Sequence, residues 1–254
     1  MKQWIYALIA ILLSLNVQAE ELDIKISATK IVDLTQPMYE GMPYWPGGVP
    51  FTMERLVDYD QGYQLHKFAM GENTGTHVDA PSHFIKGNQP IDGIPLNKLV
   101  VPIAMINVQE QSGADPDYQL TVGDIEAWEA EHGQIESNSL VVLNTGWFKK
   151  FGEPEQYVNM DGEHVMHFPG YSPEAAALLV ERDVAGIGID TLSLDFGKSK
   201  DFATHVIMLK ENKYQIENMG NLDALPVKGA IAVIGVLPVR GGSQAQARIF
   251  ALLP

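Results

Sequence analysis

The sequence predicts an α/β fold, with a mixed sheet or small barrel at the centre and helices outside it. Three observations predict this. Strand-like apolar segments outnumber helical ones. The two kinds are interleaved along the chain rather than gathered in separate halves. Segments 99–108 and 139–144 are apolar almost throughout, as strands covered on both faces are.

Taken in order, residues 24–34 alternate apolar and β-branched residues with polar ones, the strand period, until Thr35-Gln36-Pro37 ends the run. Residues 39–48 are a loop by their Gly and Pro content, yet they hold Tyr39, Tyr44 and Trp45. Such aromatics either pack on the core or line a pocket for a planar substrate. Segments 51–56 and 63–70 read as a strand pair. Thr121 and Asp124 form a capping-box pattern that opens a helix through His132. Pro173 at a first helical position starts another helix, which runs through Arg182. Residues 184–189 read as a strand, 201–210 as a short helix carrying His205, and 213–217 as an extended segment. Segments 230–238 and 247–253 are the terminal strands.

Composition narrows the chemistry. Lys2, an apolar run over 4–15, and small residues at Val17 and Ala19 spell a secretory signal peptide over residues 1–19. Cleavage near Ala19 would leave a single domain of residues 20–254, periplasmic or secreted, with no membrane span in its mature form. The net charge of −15, or −16 once Lys2 is removed, disfavours nucleic acid and anionic membrane as partners. With no Cys in the chain, there are no disulfides, thiolate metal sites or cysteine nucleophiles. Any metal must be held by His, Asp, Glu or Asn.

The segment Glu72-Asn73-Thr74-Gly75-Thr76-His77-Val78-Asp79-Ala80-Pro81-Ser82-His83-Phe84 concentrates that chemistry. His77 and Asp79 are two apart, so on an extended segment they project to one face. One imidazole and one carboxylate then converge as the first ligands of a divalent cation. Pro81 turns the chain and leaves His83 beside the pair. A single His is ordinarily a surface or packed residue; three ligating groups within seven residues, in a chain with seven His, point to a metal or catalytic role. Later, His205 on a short helix and Glu217 in an extended segment are twelve residues apart across a turn. A carboxylate in a strand is unusual. Added to His77 and Asp79, this pair would make two imidazoles and two carboxylates, enough for one cation or a bridged pair.

On these residues the chain resembles the metal-dependent cyclase family that includes bacterial kynurenine formamidases and isatin hydrolases. The central motif, Gly75 to Phe84, fits the family's H-x-G-T-H-x-D-x-P-x-H signature. The His205 to Glu217 spacing, Tyr44-Trp45-Pro46-Gly47 and Gly188-Ile189-Asp190-Thr191 add to it. The resemblance covers essentially the whole mature chain. It implies a swivelling β/β/α domain assembled as a homo-dimer or homo-tetramer, with one or two Mn or Zn ions per subunit. It also implies metal ligands at His77, Asp79, His205 and Glu217, and an acid/base at His83. The implied reaction is hydrolysis of a small amide, lactam or lactone by metal-activated water, with an aryl formamide as the family's leading substrate and Tyr44 and Trp45 stacked on its ring. The family signature begins with a His where this chain has Asn73, an amide ligand that is weaker and harder than imidazole. That departure predicts a preference for Mn over Zn, or one firm ion and one loose. The rival expectation is a scaffold that holds a metal or small ligand without turnover. A serine hydrolase built on Ser82 lacks the G-x-S-x-G elbow.

Overall fold

The computed structural model describes residues 28–254. The expected signal peptide, residues 1–19, and the first residues of the expected 24–34 strand lie outside the described residues. What remains of that strand is β1, Lys30–Asp33. A two-stranded hairpin follows, β2 (Thr52–Val57) and β3 (Leu65–Ala69), and then the short strand β4 (His77–Asp79). Next come β5 (Val100–Asn107), α1 (Gln109–Ala114), β6 (Gln119–Leu120), α2 (Val122–His132) and β7 (Leu140–Asn144). The third quarter holds α3 (Pro154–Val158), β8 (Gly170–Tyr171), α4 (Pro173–Glu181) and β9 (Gly186–Ile189). The chain closes with α5 (Ala203–Lys210), β10 (Tyr214–Glu217), β11 (Lys228–Val236) and β12 (Gln244–Leu253).

Eight strands form one mixed sheet in the order β1-β12-β11-β5-β7-β9-β10-β4. Because β4 also pairs with β12, seven of them close into a ring, and β1 extends the far end of β12. β5, β7, β9 and β10 run parallel to one another; the pairings made by β4, β11 and β12 are antiparallel. The sheet is thus mixed and barrel-like, with helices outside, as the interleaved pattern predicts.

Side-chain alternation divides the core. Leu140 and Val142 of β7 point into the barrel with Val78, Ile103, Ile216, Ala245 and Ile249. Val141 and Leu143 point outward and are covered, with Ile187 and Ile189, by Ile125 of α2 and Leu179 of α4. Strands covered on both faces therefore read as continuous apolar runs. On β9 the inward positions are Gly186 and Gly188: a Cβ on Gly186 would lie 2.5 Å from the Tyr214 carbonyl oxygen, and one on Gly188 would lie 2.6 Å from the Met219 sulfur. The capping box on α2 is realised: the Thr121 hydroxyl accepts from Asp124 N, and the Asp124 carboxylate accepts from Thr121 N. Along the β10-β4-β12 strip, in contrast, the outward positions are polar.

Candidate functional site

β4 is three residues long and lies between β10 and β12. In register, His77 faces Glu217 on one side and Gln246 on the other; Asp79 faces Gln215 and Gln244. Between them Val78, Ile216 and Ala245 turn into the barrel. The strand period thus puts six polar side chains in two rows on the outer face. α5 packs on this strip, against β10 and the Pro81–His83 turn, and brings His205 over it.

Four side chains converge. His77 Nε2 is 3.3 Å from Asp79 Oδ1 and 3.3 Å from Glu217 Oε2. His205 Nε2 is 3.3 Å from Asp79 Oδ2 and 3.1 Å from Glu217 Oε1. All four are buried, from 0% exposed for His77 and Asp79 to 5% for Glu217. Each imidazole is held from behind through Nδ1: that of His77 lies 2.8 Å from the Gly75 carbonyl and that of His205 lies 2.6 Å from Asp195 Oδ2. With a proton on Nδ1, both Nε2 lone pairs face the carboxylates. His77 Nε2 and Asp79 Oδ2 have no hydrogen-bond partner although both are buried. A buried polar atom left this way costs about 1–3 kcal/mol unless something meets it. The ligating atoms of His77, Asp79 and Glu217 lie within 4.8 Å of one another, as do those of Asp79, His83 and His205. Nitrogen and carboxylate oxygen donors around one point fit a divalent cation.

The electrostatics show the same demand for positive charge. Burial works against an imidazolium at His77, but Asp79 and Glu217 outweigh it and push its pKa up to about 10. Burial likewise opposes ionisation of Asp79, yet the two histidines hold its carboxyl far below the usual range. His83 differs. Burial holds its pKa below the ordinary 6.5, so it is neutral at pH 7.

Above the four lies a cavity of about 220 Å³ whose walls include Trp45, Asn73, His83, Phe84, Phe202 and Gln244, with His205 and Glu217 in contact with it. Trp45 and Phe202 are 6.1 Å apart between ring centroids, and Phe84 and Phe202 are 5.6 Å apart. Phe202 adopts φ 50°, a left-handed conformation that a bulky side chain rarely takes. Asn73 reaches the cavity wall. Tyr44 does not line the cavity: it is half-buried, and the tight turn closed by Gly48 N and the Trp45 carbonyl (2.8 Å) leaves Trp45 as the ring facing Phe202. Of the two rings expected to stack on a ligand, Trp45 lines the cavity and Tyr44 does not.

Several residues of the site escape a sequence reading. Asp195 holds His205 through Nδ1 and also accepts from Thr204 N at 2.9 Å and His205 N at 3.2 Å, anchoring the start of α5. Its signal, an acid in an apolar stretch, is weak. Gln244 donates to Asp79 Oδ1 at 2.7 Å. Gln246 donates to the carbonyls of Gly71, Glu72 and Thr74, holding the loop that carries Asn73. The Gln-Ala-Gln-Ala alternation at 244–247 was the available signal for a strand beginning earlier than residue 247. Asn218 donates to the Gly75 carbonyl behind His77, and Tyr157 O–H donates to Asn218 Oδ1.

Residues 32–196 match the Cyclase family. The isatin hydrolase of Roseibium aggregatum is 31% identical over 241 residues, covering 90% of this chain and 91% of that protein. A kynurenine formamidase of Bacillus anthracis is 25% identical over 196 residues, covering 76% and 84%. Among solved structures, an isatin hydrolase bound to the product analogue thioisatinate superposes with a TM-score of 0.84 at 31% identity, over 89% of this chain and 92% of that one.

Proposed function

The chain belongs to the cyclase family, and on that premise we propose that it is a metal-dependent hydrolase of small cyclic amides, with isatin-like lactams ahead of aryl formamides. The observation that carries the proposal is the convergence of His77, Asp79, His205 and Glu217, whose two Nε2 atoms and two carboxylates meet in a buried site. These four would hold the cation, and Asp79, shared by both clusters, would bridge if two are held. When bound, a divalent ion acidifies water and polarises a carbonyl.

The chain's own residues do the rest. Trp45, Phe84 and Phe202 receive a flat ring and exclude water around it. His83, neutral at pH 7 and open to the cavity, takes a proton from the attacking water and returns it to the leaving nitrogen. A C–O bond forms at the carbonyl carbon as the C–N bond breaks, and a lactam opens to an amino acid. The lactam preference rests on the greater identity and coverage of the isatin hydrolase relative. Asn73, at the cavity wall, favours Mn over Zn. The leader-like residues 1–19 assign this activity to the periplasm or the exterior.

The test is turnover of isatin and of N-formyl aromatic amines by chain loaded with Mn or Zn. Hydrolysis of isatin that is abolished by chelation and by His83→Ala is expected. Formamide cleavage without lactam cleavage would overturn the substrate order. Metal binding with no turnover across the panel would favour a non-catalytic ligand holder.

A further inference from the structure

Ser193 belongs to the wall of the cavity above the four convergent side chains. It is 2% exposed, and its Oγ has no hydrogen-bond partner. Among the described residues, it is the one member of that wall with a buried side-chain polar atom left in this condition. The other polar groups of the wall are engaged or open to water. Gln244 donates to Asp79 Oδ1 at 2.7 Å, His205 and Glu217 meet Asp79 and His77, and Asn73 is half-exposed. A buried hydroxyl without a partner is a cost to folding, and at the wall of a cavity a ligand atom can meet it.

The backbone on either side of Ser193 is fixed. The Thr191 carbonyl accepts from Asn218 N at 2.9 Å, beside Glu217 of β10, and the Leu194 carbonyl accepts from Tyr171 N at 2.8 Å. The carbonyl of Ser193 itself accepts from the Thr191 hydroxyl at 2.7 Å, so it is directed back along the chain. Leu192 and Leu194 are both buried. Two residues on, Asp195 grips His205 and the start of α5. The hydroxyl is thus held at a set place relative to His205 and Glu217, the two late members of the cluster. A polar group on so rigid a support selects a ligand atom by position.

The chemistry of the ligand decides which atom that is. In the lactam reading above, on which this inference rests, the ring lies among Trp45, Phe84 and Phe202, the cation takes the scissile carbonyl, and His83 serves the leaving nitrogen. An isatin-like lactam carries one further polar atom, the ketone oxygen on the carbon next to the scissile carbonyl. That oxygen is an acceptor, and the Ser193 O–H is a donor. We infer that Ser193 is a specificity residue of the cavity, its hydroxyl donating to an acceptor on the carbon beside the scissile carbonyl. The site then takes α-keto lactams ahead of plain lactams, which have no acceptor at that place, and ahead of formamides, which have only a hydrogen there. A ligand without the acceptor leaves the buried hydroxyl unpaired, and that is the basis of the rejection.

Two ring-opened acids test this: ortho-aminophenylglyoxylate, which keeps the ketone, and ortho-aminophenylacetate, which has a methylene in its place. Their affinities for Mn-loaded chain are measured by calorimetry for the unaltered protein and for Ser193→Ala. The substitution is expected to weaken the keto acid about five- to tenfold and the acetate by about twofold or less, the worth of one neutral hydrogen bond. Affinity for Mn, from chelator competition, is expected to stay unchanged. Should Ser193→Ala fail to fold, Ser193→Cys carries the same comparison, because a thiol is a weak donor. An equal loss for both acids, no loss for either, a fall in Mn affinity, or no binding of the keto acid to the unaltered chain would overturn the inference. Turnover of isatin by the unaltered chain judges the hydrolase reading separately: the difference between the acids can hold without turnover, and turnover can occur without the difference.

Discussion

His77 and Glu217, separated by most of the chain, stand directly opposite one another in the antiparallel pairing of β4 with β10, with Nε2 of the first 3.3 Å from Oε2 of the second. The same register places Asp79 one ladder step along on the same face. A shift of one residue in β4 would send both side chains into the barrel and bring Val78 out. The site is therefore as rigid as the sheet that carries it.

Glu217→Gln keeps the size of the side chain and removes its charge. The neutral amide leaves His77 and His205 with one carboxylate between them. Affinity for Mn is expected to fall by at least ~100-fold, beyond the 10–100-fold typical of changes outside the ligand set. Competition with a chromophoric chelator measures it; unchanged affinity would remove Glu217 from the site.

Asp195→Asn separates orientation from ligation. It removes the acceptor that fixes the Nδ1 proton of His205 at 2.6 Å, while the remaining amide oxygen can still cap α5. Metal affinity should drop about 10–100-fold with little loss of thermal stability. Nitrogen NMR of His205 should show the Nδ1-protonated form giving way to a mixture of tautomers. Retention of a single tautomer would show that Asp195 does not set it.

The lowered pKa of His83 has a sign. Burial opposes its protonation in the fold, so the fold favours the neutral ring. Any stability linked to this group is present above the unfolded value of 6.5 and is lost as pH falls through the lowered folded value. A base with that pKa predicts kcat/KM that is flat through neutrality and falls on an acid limb below pH 6.5. An acid limb centred above 6.5 would assign the base elsewhere.

Asn73→His restores an imidazole at the cavity wall. Zinc should bind more tightly than to the parent chain, and a second equivalent should appear in metal analysis if the first ion already sits on the buried four. Titration with no gain in affinity or stoichiometry would show that Asn73 lies outside ligand reach.

Gly186→Ala tests the barrel. Its Cβ would meet the Tyr214 carbonyl at 2.5 Å and the Tyr214 ring at 2.6 Å, neither of which can yield without moving β10. Destabilisation of about 1–3 kcal/mol is expected from denaturant unfolding. Because Tyr214 and Glu217 share β10, metal affinity should weaken with it.

Much of the fold is legible because burial leaves periodic traces. β5 and β7, packed on both faces, are continuous apolar runs, and Thr121 with Asp124 announces α2. The start of β12 is only faintly legible: Gln244 and Gln246 face the polar strip, so the period-two alternation at 244–247 pairs polar residues with small alanines and lacks the large apolar side chains that mark the other strands. Short α1 and α3 carry too few turns to impose a period on the sequence. In the site, His77, Asp79 and His83 stand out because they are close in sequence. Asp195 does not, because its role depends on where α5 lies. Tyr44 was expected beside Trp45, and of the two only Trp45 lines the cavity.

What the sequence determined by itself was chemical: which donors are available, that no thiolate is among them, and that His77 and Asp79 share a face. Those are local facts, written in residue identity and a period of two. That His205 and Glu217 complete the same cluster, and that Asp195 and Gln244 hold it, were decided only by the tertiary structure. Strand pairing across more than a hundred residues depends on which edges close the barrel, and no local pattern encodes that closure.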